Sequence, residues 1–183
     1  WLWAFADVAM IDALRLSAFN VVSVVTTTGY ASTDYSQWGN LPVVLFFLLT
    51  FVGGCTGSTA GGLKAFRFDI LGLALKVYLQ RLVYPHGAFA VTYNGRTVSE
   101  DVFAGVLLFM GLYVITVAVT SVLLAMTGLD LVTSITGAAT AVGNVGPGLG
   151  AIIGPAGNFS SLPDTAKWLL SAAMLLGRLE FFT

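Results

Sequence analysis

The chain has 183 residues, of which 57% are hydrophobic and only 9% charged, with a formal net charge of −1. An ordinary soluble domain carries roughly 25% charged residues, and a fold of this size cannot hide so much apolar surface from water. Composition therefore excludes a soluble enzyme, and it excludes a disordered chain as well. Near-neutral charge leaves no electrostatic footprint for nucleic acid, and the single cysteine, Cys55, forms no internal disulfide. With a mean hydropathy of +0.89, the remaining class is an integral membrane protein in a lipid bilayer. The chain opens at Trp1 with no basic leader and stops at Phe181-Phe182-Thr183 inside an apolar stretch, which reads as a piece of a longer protein.

In chain order, residues 12–25 form a short apolar helix. About 14 residues of helix reach about 21 Å, short of the roughly 30 Å hydrocarbon core, so the helix is re-entrant or interfacial. It ends in Thr26-Thr27-Thr28-Gly29-Tyr30. Asn40-Leu41-Pro42 starts the next helix, since proline suits a first turn. That helix, 40–83, is interrupted at Gly53–Gly62, where five of ten residues are glycine. Irregular backbone at membrane depth is tolerated only where it lines protein or a water cavity. Residues 84–101, with Pro85, His86, Asn94-Gly95 and Arg96, form a polar connector. Residues 102–126 are uncharged and span the membrane. Residues 130–142 form a second short helix, followed by a strand over 142–146 and a Gly-rich loop. A last helix covers 164–183 and carries Arg178 and Glu180.

The order of short helix, glycine strand, loop and long helix occurs twice. Setting Gly29 on Gly143 places Thr26 on Thr140. Leu41-Pro42 then matches Leu162-Pro163, and Leu48-Leu49-Thr50 matches Leu169-Leu170-Ser171. The copies run in the same direction, so their axis lies along the membrane normal. Five of eight basic residues fall within 64–96, which puts that stretch on the cytoplasmic side. The glycine strands then lie toward the outside and the Gly-rich break toward the inside.

A Thr-x-x-Gly strand after a half-spanning helix resembles the filter of potassium channels. There, backbone carbonyls replace the water of the ion, and glycine permits the backbone conformation this needs. The short helix also points its negative C-terminal end at the ion. One copy alone is equally a simple turn; two copies at matched spacing favour the filter.

Thr27-Thr28-Gly29-Tyr30, the Gly53–Gly62 run into Lys64, Gly143-Asn144-Val145-Gly146 and Gly177-Arg178-Leu179-Glu180-Phe181-Phe182 together resemble the C-terminal half of bacterial Trk-type potassium-uptake membrane subunits. They are closer to TrkH and TrkG than to KtrB or plant HKT proteins. The resemblance implies an all-α membrane fold of repeated helix–pore-loop–helix units around one pore. Residues 1–83 would be the third unit without its first helix, and 102–183 the fourth, truncated. It implies filter positions Thr26, Thr27, Thr28, Gly29 and Tyr30 in one unit and Ala141, Val142, Gly143, Asn144 and Val145 in the other. Gly29 and Gly143 would be the filter glycines, glycine rather than serine leaning toward potassium over sodium. The implied gate comprises Gly53, Gly54, Gly57, Ser58, Thr59, Gly61, Gly62 and Arg178. The implied activity is potassium uptake through a selective, gated pore in the bacterial inner membrane by a multi-pass protein. It takes no cofactor; potassium is the transported substrate and the only metal, bound at the filter. The implied partners are a second copy of the full-length subunit and a cytosolic ring of nucleotide-binding regulatory subunits, with the basic 64–96 region as docking surface.

Other readings stand beside these. Gly53-xxx-Gly57-xxx-Gly61 also fits close helix packing. Arg178 can face the pore, pair with Glu180 or cap a carbonyl, although residues two apart do not share a helix face. Ser58 in a Gly-rich loop suggests an intramembrane serine protease, but a serine nucleophile needs a base and His86 lies in the connector. An ion-coupled secondary transporter with a midplane site is the alternative function. Cys55 reads as a packing residue and His86 as solvated. Trp1, Trp3, Trp38 and Trp168 fit an interfacial aromatic belt. Asp34, Asp130 and Asp164 are solvated loop acids or cation attractors at the mouth.

Overall fold

The computed structural model describes residues 1–5, 8–84, 87 and 89–178, without the side chains of Phe5 and Arg96. His86, Glu180 and the end of the last helix lie outside the described residues. The helices are α1 (Leu2–Phe5), α2 (Met10–Val25), α3 (Asn40–Leu49), α4 (Ala65–Val83), α5 (Glu100–Met126), α6 (Leu131–Gly143) and α7 (Asp164–Arg178). A small hairpin, β1 (Thr92–Tyr93) and β2 (Arg96–Thr97), turns over Asn94-Gly95 with φ of 48° and 75°. Asparagine and glycine are the residues that tolerate such a turn.

Only α5, among the described residues, is long and apolar enough to cross a membrane, and 22% of its most apolar stretch is buried within the chain. A soluble core helix would be mostly covered; most of the apolar surface of this one is left uncovered by the described residues. Ser99 caps its start by accepting from the Val102 amide. α6 packs between α5 and α7. Ten of its 13 residues are buried, because Gly137, Ala138 and Ala139 let the neighbouring helices approach closely. Leu124 of α5, Val142 of α6, and Ala166 and Leu170 of α7 meet in this core. α7 crosses α6 at Gly177, where a Cβ would overlap the Val142 carbonyl.

α2 is covered far less, with Ala13, Asn20, Ser23 and Val24 as its buried residues. Met10, Ile11, Leu14 and Val22 are exposed. Only the four-residue α1 precedes it among the described residues, so nothing does for α2 what α5 does for α6. Below the loop that follows α2, Tyr35 stacks on Phe46 of α3 with ring centroids 4.0 Å apart, and Trp38 meets both edge-on. Burial, then the neighbouring Asp34 carboxylate, pushes the Tyr35 phenol up to about 12, so this packed ring stays neutral.

The second helix of the first copy is broken, as its glycines predict. α3 stops at Leu49 and α4 begins at Ala65. In the second copy α7 stays helical across the matching residues, whose sequence Ser-Ala-Ala-Met-Leu-Leu-Gly-Arg holds one glycine at its end. The shared start is visible in detail: Thr50 Oγ1 donates to Phe46 O, and Ser171 Oγ to Lys167 O.

The three loop acids have structural partners. Asp34 accepts from Ser36 N and Gln37 Nε2. Asp164 pairs with Lys167 at 3.2 Å. Asp130 caps α6 by accepting from Thr133 N at 3.1 Å, and hydrogen bonds from Thr133 hold its carboxyl below the ordinary value. A depressed carboxyl contributes stability above its unfolded pKa and loses it only as pH falls through the folded one. The cap is therefore intact at neutral and mildly acidic pH. Replacing it, Asp130→Ala, should cost about 0.5–2 kcal/mol, seen as a lower thermal midpoint of the full-length protein in detergent at pH 7. An unchanged midpoint would contradict the capping role.

Candidate functional site

Both short helices end in the same way. At the end of α2, Thr27 N donates to Val24 O at 3.0 Å and Thr28 N to Ser23 O at 2.9 Å. At the end of α6, Asn144 N donates to Ala141 O at 3.1 Å and Val145 N to Thr140 O at 3.0 Å. Each pair is a Schellman motif, which turns the chain through one left-handed residue and satisfies helix carbonyls that would otherwise be orphaned. That residue is Thr27 in the first copy and Asn144 in the second, both with φ of 53°. Two residues further on stand Gly29 and Gly146, with φ of 78° and 119°.

This geometry corrects the register of the repeat. Thr27 matches Asn144 and Gly29 matches Gly146, so the copies align three residues away from the Gly29–Gly143 pairing expected from sequence. Gly143 is the last residue of α6, and Ala141 and Val142 are helical and buried. The strand expected over 142–146 begins only after Asn144. The physical reason is that asparagine tolerates the left-handed conformation, so the helix needs no glycine to stop. Gly143 has a different job: its Cα lies under the Thr50 carbonyl, which a Cβ would meet at 3.1 Å. Thr27 is the costlier case, since a β-branched residue in this region is strained.

The two glycine turns face each other. A Cβ on Gly29 would overlap the Val145 carbonyl oxygen and lie 3.3 Å from Pro147. A Cβ on Gly146 would come no closer than 3.6 Å to Gly29. Thr26 Oγ1 donates back to Val22 O at 2.7 Å and shares a hydrogen bond with Thr28 Oγ1 at 2.9 Å. The Tyr30 carbonyl accepts from Ser23 Oγ at 2.6 Å, while its ring is exposed. Thr27, Thr28, Thr140, Asn144 and Gly146 line one side of a cavity of about 380 Å³. Lys167 and Met174 of α7 line the other. Asn144 Nδ2 reaches α7 at Met174 O, 3.0 Å away.

The break between α3 and α4 lies against these turns. Its two ends are stitched together, Gly53 N donating to Leu63 O at 2.8 Å and Leu63 N to Phe51 O at 3.0 Å. Gly57 and Gly62 take φ of 85° and 70°, which other residues adopt only with strain. Gly61 N donates to Thr27 Oγ1 at 3.0 Å, and a Cβ on Gly61 would overlap the Gly143 carbonyl. The Arg178 guanidinium donates to the Thr59 carbonyl. Arg178 also lines, with Ser58, Thr59, Gly61 and Lys64, a polar cavity of about 310 Å³. So one loop touches the end of α2, the end of α6 and the end of α7. Ser58 Oγ donates to Cys55 O at 2.7 Å, closing a turn within the loop.

The expected residues thus come together, with exceptions. Gly54 and Gly57 serve the loop's own turn, and Ala141 and Val142 stay in the helix. The sequence placed Gly146 at the end of the strand over 142–146 but not among the individual filter residues; its place two residues after a left-handed one sets it beside Gly29. Lys167, which lines the cavity, and the buried Asn20 carry no sequence motif.

A family described as TrkH, cation transport protein, matches residues 4–183. The Trk system potassium uptake protein TrkI of Halomonas elongata is 56% identical over 171 residues, covering 93% of this chain and 35% of that protein. TrkH of the same organism is 38% identical over all 183 residues, 37% of its own length. The crystal structure of the potassium transporter TrkH from Vibrio parahaemolyticus superposes with a TM-score of 0.90 at 34% identity, covering 99% of this chain and 38% of that one. The fold is that of a helical membrane protein. The chain belongs to the TrkH family of cation transport proteins. It spans little more than a third of the length of the relatives it matches.

Gly61→Ala in the full-length protein should force the loop off the end of α6 and break the Gly61–Thr27 hydrogen bond. Amide exchange over residues 53–63 should rise about tenfold, the equivalent of about 1.4 kcal/mol in local opening. Exchange at the wild-type rate would show that the loop does not rest on the two turns.

Proposed function

We propose that this chain is half of a potassium-selective, gated pore, with the two glycine turns as filter strands and the 50–64 loop as the gate beneath them. The observation that carries the reading is the pair of short helices that stop in matching left-handed turns facing each other. Turns of this kind present backbone carbonyls where an ion can shed its water, and each helix adds the negative end of its dipole. The strands are Thr26–Tyr30 and Asn144–Val145 with Gly146, and α2 and α6 are the pore helices. Two more such strands are needed to surround an ion, and they would come from parts of the full-length subunit outside this sequence.

The gate assignment rests on contact and charge. The loop is glycine-rich, touches both turns and is held by Arg178. A cation beside a cation path is a barrier, so Arg178 both anchors the loop at Thr59 and opposes potassium when the loop is in place. In this reading the carbonyl cap and the pore-facing arginine are one arrangement.

The relatives bear the name potassium uptake protein, which favours potassium as substrate here. The same family points to a multi-pass protein of the bacterial inner membrane, a homodimer of the full-length subunit, and a cytosolic nucleotide-binding regulatory ring. For the ring, the basic 64–96 region remains the candidate surface. Within it Arg81 already donates to Phe89 O at 2.8 Å, holding the connector on α4. Lys76 is thus the cleaner charge to reverse. Ion-coupled secondary transport is the second reading, favoured by the cavity that the turns line with α7. It requires flux that saturates and moves sodium or protons in fixed ratio.

In liposomes carrying the full-length subunit, potassium flux should exceed sodium flux. Gly29→Ser should lower that ratio by about tenfold, because the new side chain displaces the Val145 carbonyl of the facing turn. Gly146→Ser should lower it as well, since a side chain at φ of 119° strains the turn although its Cβ meets only ordinary contacts. Equal flux in the wild type, or a ratio untouched by Gly29→Ser, would overturn the filter assignment.

A further inference from the structure

Behind the first turn lies a buried amide that the pore reading leaves without a role. Asn20 of α2 is 0% exposed. Its Nδ2 donates to Leu16 O at 2.8 Å and to Ser32 Oγ at 2.9 Å, and its Oδ1 accepts from Ser32 N at 3.1 Å. Ser23, three residues on and so on the same face, donates to Tyr30 O at 2.6 Å. The segment leaving Gly29 is thus tied to α2 at two points, residues 30 and 32.

The second copy makes the comparison. In the corrected register Gly137 stands where Asn20 does and offers no side chain. Yet Leu149, the counterpart of Ser32, still has its amide captured: Thr136 Oγ1 accepts from Leu149 N at 3.1 Å. Thr140, the counterpart of Ser23, accepts from Gly146 N at 2.9 Å. One matching backbone amide, at Ser32 and at Leu149, is held to the matching helix by unrelated side chains, Asn20 and Thr136, while Ser23 and Thr140 each hold a different backbone group of the turn. A buried amide must find a partner, but that need alone does not require it to be tied each time to the helix that carries the turn.

We infer that Asn20 and Ser23 are positioning residues that set the ion preference of the first turn, resting on the reading of that turn as a filter strand. Discrimination between potassium and sodium depends on where carbonyls are held and how far they can relax toward a smaller ion. The ties hold the strand back against α2. Without them the strand can close inward and accommodate sodium.

The test uses the full-length subunit in liposomes and reads the ratio of potassium to sodium flux. Ser23→Ala, which removes one oxygen, should lower the ratio by roughly threefold. Asn20→Leu should lower it by roughly fivefold, on the scale of a lost hydrogen bond. Ser32→Ala should act less, because the Ser32 amide keeps its bond to Oδ1. Adding Ser32→Ala to Asn20→Leu should change nothing more, as expected for groups that share one interaction. If Asn20→Leu does not fold, Ser23→Ala carries the test alone. Both fluxes falling together at a constant ratio in every folded variant would make these residues merely structural and overturn the inference. Gly29→Ser run in the same series separates the two failures. If it shifts the ratio while Asn20 and Ser23 variants do not, only this inference falls. If the wild type selects no ion or Gly29→Ser shifts nothing, the filter reading falls and this one with it.

Discussion

A helix that stops leaves amides and carbonyls that need partners elsewhere. Two helices of this chain, α2 and α6, stop in matching left-handed turns, and much of the remaining structure answers that constraint. The left-handed residues Thr27 and Asn144 return two amides to each helix end. Side chains on the same helices then take up the next polar groups: Ser23 and Asn20 in one copy, Thr140 and Thr136 in the other. Backbone held this firmly without a ladder of neighbouring strands is free to offer its remaining carbonyls elsewhere, which is the physical basis for reading it as an ion path.

The two copies diverge after the turns, and the divergence supplies the moving part of the account. Glycines between α3 and α4 break one long helix, whereas α7 is helical over Asp164–Arg178. The freed loop settles against both helix ends and is reached by Arg178 from α7. A helix presenting a cation to a loop between two helices is an asymmetric arrangement.

Much of this was legible in the sequence. Apolar length identified α5, proline marked the start of α3, and glycine density located the break. The duplicated order of elements was visible without any fold in hand. The register was not, because it was set by matching glycine to glycine. The structure matches conformation to conformation, and a threonine and an asparagine occupy the equivalent left-handed positions. Gly143 drew attention as a filter glycine when its lack of a side chain serves contact with Thr50. Contacts across the chain were also out of reach: nothing near Arg178 in sequence points to Thr59, and nothing near Asn20 marks it as buried. Such residues are defined by what folds against them.

The central claim is that ions pass between the two glycine turns. Its most direct test is the anomalous scattering of rubidium, a close analogue of potassium, in crystals of the full-length subunit. A rubidium peak bounded by backbone carbonyls of 26–29 and 143–146 is the predicted result. Rubidium bound elsewhere in the protein, with no peak between the turns, would contradict the account.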